Sequence, residues 1–383
     1  MKNLLLGRFS FIVIPLLSAA LALLVGGIIL LLLGANPIGA YIAMLQGAWG
    51  SPNALADSIV KMTPLLFVGV GICIAYRGGM VNVGGEGQFI LGALSATVVA
   101  LAFPSWPNWL LIPAALVAGF FVGSLWGGLA GVLKARFKVN EVLSTVMLNA
   151  IALQFMTYLL HGALIDPTEL DNMIRIPQTQ RLPVAADLPR LVPTRLHLGA
   201  ALAVVAAILV YVLLWRTTIG YRIRAVGFNP FASRYAGIRV SRFQVLAITL
   251  SGALAGLAGA VEILGVNHRL FTDGSATGFT SNAGFNGIVV ALFGNLNPLG
   301  TIPASFLFGS LLVGANSLQR SVQVPSAFVT TLDGLIVIFV VATQAWGRRM
   351  SQRRVTSTPP SGEATPETVQ IADQVLSDPQ NVA

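Results

Sequence analysis

The 383-residue chain has a single cysteine, Cys73, set in an apolar run, so an internal disulfide is excluded. Its three histidines, His161, His197 and His268, are scattered. No HExxH or CxxC spacing occurs, which argues against a built-in zinc site. A Gly-x-Ser-x-Gly nucleophile elbow is missing as well. No lysine follows a glycine anywhere. The phosphate-cradling pattern GxxxxGK(S/T) is therefore absent, and with it a P-loop on which this chain would hydrolyse ATP. Charge is also scarce. Charged residues make up 10% of the chain, against about a quarter in soluble domains.

What is present is apolar. Hydrophobic residues reach 55% and the mean hydropathy is +0.79. Several runs approach the roughly 20 residues needed to cross a bilayer. The pattern predicts an all-α polytopic membrane protein with about ten transmembrane or partly broken helices. The spans fall near 10–33, 62–76, 84–103, 109–133, 141–160, 198–215, 243–264, 283–296, 301–318 and 326–346. The first is too long for the apolar core of a signal peptide and reads as an uncleaved span. Residues 1–350 form one membrane domain in this reading. Residues 351–383, rich in Pro, Ser, Thr and Glu and lacking aromatics, read as a disordered cytoplasmic tail.

The basic residues set the orientation. With both termini cytoplasmic, 16 of the 23 Lys and Arg lie inside, including the clusters at 134–138, 216–242 and 348–354. The net charge of +9 is thereby explained by positive loops beside lipid, without a nucleic-acid partner. Residues 161–197 become an extracytoplasmic loop with five prolines. Residues 216–242 become a cytoplasmic loop with six arginines and no acid.

Four segments carry polar chemistry. In 77–88, glycines flank Asn82, Glu86 and Gln88. A broken backbone at membrane depth must be buried in protein or line a wet cavity, and a carboxylate facing hydrocarbon is costly. The segment reads either as a broken helix beside a translocation path or as a cytoplasmic turn in which Glu86 pairs with Arg77. Segment 274–300, with Asn282 and Asn286, occupies a corresponding place in the second half. Paired glycine-interrupted segments of this kind point to a midplane site in transporters. The alternative is a re-entrant turn that holds the fold together. In 140–149, Asn140 reads as a helix cap with Glu141 in the first turn, and Asn149 lies about 13 Å deeper, either touching substrate or bonding a neighbouring helix. Glu262 and Asp333, at or within spans, are candidate proton relays or helix-end charges.

The fourth segment is the inner loop. Asn229 followed by Pro230 reads as an N-cap and first helical residue, and Gly237 as the stop. A helix over 230–236, with Arg234 and Tyr235, suits docking on a soluble partner better than simple anchoring.

The stretches GGMVNVGGEGQFILGA, KVNEVLSTVMLNAIA, RAVGFNPFASRYAGIRVSR and GFNGIVVALFGNLNPLG together resemble the permease subunits of ABC importers for nucleosides and simple sugars. These belong to the branched-chain amino acid and ribose permease superfamily. The resemblance spans most of 10–346, and NSLQRSVQVP (316–325) leans toward the nucleoside branch over the ribose-type sugar branch. It implies a transport subunit that binds no cofactor itself and moves substrate by alternating access. ATP would be used by a separate ABC ATPase subunit. A second related permease and an extracytoplasmic substrate-binding protein complete the implied assembly, in the inner or plasma membrane. It also implies a substrate path near Asn82, Glu86, Gln88, Asn149, Asn282 and Asn286. The implied coupling helix carries Arg224, Gly227, Asn229, Pro230, Arg234, Tyr235 and Gly237. A proton-coupled secondary transporter using Glu86, Glu262 or Asp333 is the rival reading.

Overall fold

The computed structural model describes residues 20–21, 23–32, 34–169 and 175–322, with the single positions 331, 334, 335 and 338. The expectations for residues 10–19, for most of 326–346, for Asp333 and for the tail 351–383 lie outside the described residues. Ala22–Leu335 forms one compact unit. Among the described residues there is no β-strand, only two isolated bridges, Gln178 to Phe271 and Arg190 to His197.

The helices run in order as α1 (Leu23–Leu32), α2 (Pro37–Trp49), α3 (Pro52–Arg77), α4 (Gly85–Ala102), α5 (Asn108–Phe137), α6 (Glu141–His161) and α7 (Leu198–Arg216). There follow α8 (Thr218–Phe228), α9 (Pro230–Tyr235), α10 (Val240–Glu262), α11 (Ala276–Thr280), α12 (Ala283–Phe293) and α13 (Pro298–Val322). Their starts follow local chemistry. Asn36, Ser51, Asn140, Thr217 and Asn229 each accept a backbone N–H of the first turn, and Pro37, Pro52 and Pro230 follow three of these caps.

Seven of these helices are long and apolar enough to cross a membrane: α3, α4, α5, α6, α7, α10 with its continuation to Asn267, and α13. The chain is a multi-pass membrane protein. Most boundaries agree with the hydropathy reading to within a few residues. Three features do not. α3 begins ten residues before the expected 62, because Ser51 and Pro52 start it ahead of the purely apolar stretch. α2 was not expected as a separate element. α12, with 11 residues, is only about 16 Å long and falls short of a full crossing.

Burial sorts the helices into two groups. In α3, α10 and α4, 89%, 78% and 72% of the apolar window is inside the protein, whereas α5, α6 and α7 bury a third or less. The first three are the core, and the outer three offer their apolar faces to lipid. α5 lies against α10 through glycines. A Cβ on Gly123 or Gly252 would overlap the other helix's backbone. In lipid, where apolar burial gives no drive between helices, this close approach supplies dispersion contact instead.

The ends of α3, α5 and α7 and the starts of α6 and α10 meet at one face of the bundle. Lys134 pairs with Glu141 at 2.7 Å, and the guanidinium groups of Arg77 and Arg224 each lie 5.5 Å from the Trp215 ring. That face therefore gathers the basic residues of 134–138 and 216–242.

Candidate functional site

The broken segment starts where α3 stops. Gly78 caps the helix and Gly79 takes φ +71°, a left-handed conformation that favours glycine. The chain then runs irregularly to Gly84 before α4 begins. Every turn of this path is braced. Asn82 donates from Nδ2 to Gln88 Oε1 and to Ser251 Oγ, both at 2.9 Å. Its Oδ1 accepts the Gly84 N–H at 2.9 Å and Gln88 Nε2 at 3.1 Å. Asn82 thus uses both donors and both acceptor sites of its amide. All three side chains are at most 1% exposed. Asn149 of α6 reaches the same segment. Its Oδ1 accepts the Gly87 N–H at 2.8 Å and its Nδ2 donates to the Val83 carbonyl at 2.9 Å. Of the two roles open to Asn149, this contact is the helix-bonding one.

Glu86 corrects one expectation. It does not pair with Arg77. Its Oε1 accepts the N–H groups of Gly284, at 2.9 Å, and Phe285, at 3.3 Å, at the start of α12. The carboxylate sits where a helix N-terminus leaves donors unsatisfied and concentrates positive potential. The Thr280 side chain borders the same carboxylate. Arg77 instead donates from Nε to the Leu296 carbonyl at 3.2 Å. The two glycine-rich segments, nearly 200 residues apart, therefore meet directly. A Cβ on Gly284 would overlap the Glu86 amide nitrogen, and one on Gly85 would stand 3.2 Å from the Gly284 Cα.

Asn282 and Asn286 lie half-buried at the start of α12. Ser281 and Asn282 hold φ of +51° and +59°, so two consecutive non-glycine residues are left-handed. Such strain persists only where the surroundings over-determine it, and it concentrates at functional segments. Asn82, Glu86, Gln88 and Asn149 thus gather at one junction, and Asn282 and Asn286 adjoin it across Glu86. None of the six lines a cavity of about 740 Å³ at the far end of α3.

The inner loop folds as its caps indicate. Asn229 Oδ1 accepts the Ala232 N–H at 3.0 Å, Pro230 opens α9, and Gly237 follows at φ +77°. Phe228, Phe231 and Tyr235 are 79%, 76% and 95% exposed. α8 fixes this helix to the junction. A Cβ on Gly227 would overlap the Arg77 carbonyl oxygen and lie 2.9 Å from the Gly79 nitrogen. Arg224 faces Trp215 from the side opposite in sequence to Arg77, and the two cations sense each other's charge. Arg234 and Tyr235 remain exposed.

Sequence reasoning missed Ser251, Thr280 and Trp215. Ser251 had a readable signal, a hydroxyl beside Gly252 in an apolar span. Trp215 had none, since an aromatic at a helix end is common beside lipid.

Comparison with known proteins supplies the family. Residues 54–342 match the model of the "Branched-chain amino acid transport system / permease component" family. This chain belongs to that permease family. It is 36% identical over 338 residues to the guanosine ABC transporter permease protein NupP of Bacillus subtilis, covering 88% of this chain and 95% of that one. It is 32% identical to the nucleoside ABC transporter permease protein NupB of Lactococcus lactis, covering 86% and 90%. It is also 32% identical to the glucose ABC transporter permease protein TsgB13 of Haloferax volcanii, covering 87% and 88%. The permease is thus a transport subunit that works within an ABC system.

Proposed function

We propose that this permease takes up nucleosides by alternating access as the membrane subunit of an ATP-driven importer. The basic face of the bundle is cytoplasmic in this reading, because positive residues are retained on that side. Both chain ends are cytoplasmic in the same reading, and the membrane is the inner or plasma membrane. α9 docks a separate ABC ATPase subunit, which alone binds and hydrolyses ATP. A second related permease completes the path, and an extracytoplasmic binding protein delivers substrate.

The observation that carries this reading is the seat of Gly227 on the Arg77–Gly79 turn. It joins an exposed, capped helix with two exposed aromatics, Phe231 and Tyr235, to the turn that leads into Asn82 and Glu86. A push on α9 would be passed through backbone contact, without a compliant side chain between. Its other end is the Glu86–Gly284 junction, where both broken segments shift together. An interface with two discrete packings can convert such a small displacement into outward-open and inward-open states. Asn82, Gln88 and Asn149 spend their amides on bracing the junction, and the half-buried Asn282 and Asn286 beside it are the amides that suit a neutral hydrogen-bonding solute.

Nucleosides are favoured by the two relatives with nucleoside or guanosine in their names. The glucose permease of Haloferax volcanii, at 32% identity, keeps a simple sugar as the second reading. A proton-coupled mechanism that runs through Glu86 is disfavoured by the geometry of its carboxylate, which already caps a helix. Replacing Arg234 and Tyr235 together by Glu tests the docking role. Co-purification of the ATPase should be lost while membrane insertion is kept. Wild-type recovery of the ATPase would remove the docking role of α9.

A further inference from the structure

The far end of the bundle holds a second feature, apart from the Glu86–Gly284 junction. The cavity of about 740 Å³ opens beside the first half of α3, the end of α10 and the end of α13. Lys61 is 16 residues from Arg77, so the cavity lies about 24 Å along α3 from the α8–α9 face. Its volume is in the range of small-molecule sites, roughly 300 to 1,000 Å³.

Its charge is lopsided. Lys61, Arg190, Arg195 and Arg320 line it, against one carboxylate, Asp57. Arg190 and Arg195 form no ion pair among the described residues. The nearby Asp187 is already engaged by Arg181, at 3.1 Å, and by His268, at 2.8 Å. Lys61 has buried Glu262 within Coulomb reach behind the wall. The field inside the cavity is therefore positive, and low-dielectric walls focus it.

The wall is also pre-formed and strained. α10 does not end in a plain cap. It passes into a π-helical turn, Ile263–Asn267, and then His268 takes φ +52°. Such π turns are frequent at functional sites. The outer loop clamps this turn through the Leu188 N–H to the Leu264 carbonyl at 2.9 Å and the Leu182 N–H to the His268 carbonyl at 2.8 Å. A long-range clamp on a strained turn fixes the cavity's shape before any ligand arrives.

We infer that this cavity is a binding site for a small organic anion, held through a phosphate or carboxylate group by Arg190, Arg195 and Lys61. The inference does not depend on the transported solute. It assigns the site a ligand class different from the neutral solute proposed for the Glu86–Gly284 junction.

The test uses the purified full-length permease with its co-purifying subunits. Binding of guanosine monophosphate, of guanosine and of inorganic phosphate is measured by calorimetry. Saturable binding of the monophosphate, competed by phosphate and absent for guanosine, is the expected result. Arg190→Glu with Arg195→Glu, both at exposed positions, should weaken it by more than about tenfold, since each charge-assisted hydrogen bond lost costs about that factor. Lys61→Gln is the second variant and should weaken it in the same direction. Equal affinity for guanosine, or monophosphate affinity unchanged by the charge reversal, would overturn the inference. Binding of phosphate without the monophosphate would overturn the assignment of an organic anion. No binding of either anion would overturn it entirely.

Discussion

Glu86→Ala removes the acceptor that closes the α12 N-terminus and leaves the buried Gly284 N–H and the part-buried Phe285 N–H without it. A hydrogen bond to a charged group contributes about 1.5 to 3 kcal/mol, and the 3.3 Å contact with Phe285 belongs at or below the low end. The carboxylate's place on the helix dipole adds about 0.3 to 1 kcal/mol. Relief of carboxylate burial offsets part of this. A net loss of about 2 to 4 kcal/mol follows. Glu86→Gln keeps an oxygen at the same distance and gives up only the charge, so its loss should be about 1 kcal/mol. Denaturant unfolding of the purified permease in detergent, followed by tryptophan fluorescence, gives the order wild type, then Gln, then Ala. Solute uptake should fall in the same order, because the cap is also the contact between the two broken segments. An Ala variant as stable as the wild type, or a Gln variant less stable than Ala, would refute the capping argument.

Other substitutions probe the same geometry. Gly284→Ala should cost more stability and more transport than Gly85→Ala, because its Cβ would overlap the Glu86 amide whereas the other stands 3.2 Å from the nearest atom; paired unfolding and uptake measurements rank the two. Asn149→Leu orphans the Gly87 N–H and the Val83 carbonyl, and should destabilise by about 2 to 6 kcal/mol at about 1 to 3 kcal/mol per unsatisfied group. Chemical denaturation reads that loss directly. The remaining expectation concerns pH. Burial, then the neighbouring His268, pushes the His197 pKa down from 6.5 to about 4. The folded protein thus binds fewer protons than the unfolded chain between those values. Stability is full above about pH 6.5 and falls as pH drops toward 4, by on the order of 3 kcal/mol for this group. His268, also shifted down by burial, acts in the same direction. A stability–pH profile of the wild type against His197→Asn, which keeps a cap acceptor for the Gly199 N–H, should show the acid limb flattened in the variant.

Much of the architecture was legible in the sequence because its signals are local. Apolar length located the spans, and Asn140 and Asn229 announced their helices through cap chemistry that the structure displays. The same Asn–Pro signature at Asn36–Pro37 marks α2, but the adjoining apolar run masked it. The long-range pairings were not legible. For Glu86 the one partner the sequence offered was the local Arg77 of the turn alternative, since a helix N-terminus 198 residues away leaves no trace near position 86. Glycines at 85 and 284 were visible as small residues, but their mutual contact belongs to the packing of α4 on α12. The loop 161–197 read as proline-rich and irregular. Its backbone bonds to 264–272 join two non-periodic segments, for which no sequence pattern exists.

The central claim is ATP-driven nucleoside uptake through this chain. It is tested most directly in proteoliposomes that contain the permease, its ATPase subunit and its second permease, with the binding protein added outside. Labelled guanosine should accumulate when ATP is enclosed, with and without an uncoupler, and should not accumulate when ATP is replaced by a non-hydrolysable analogue. Accumulation driven by a proton gradient without ATP, and abolished by the uncoupler, would contradict the account.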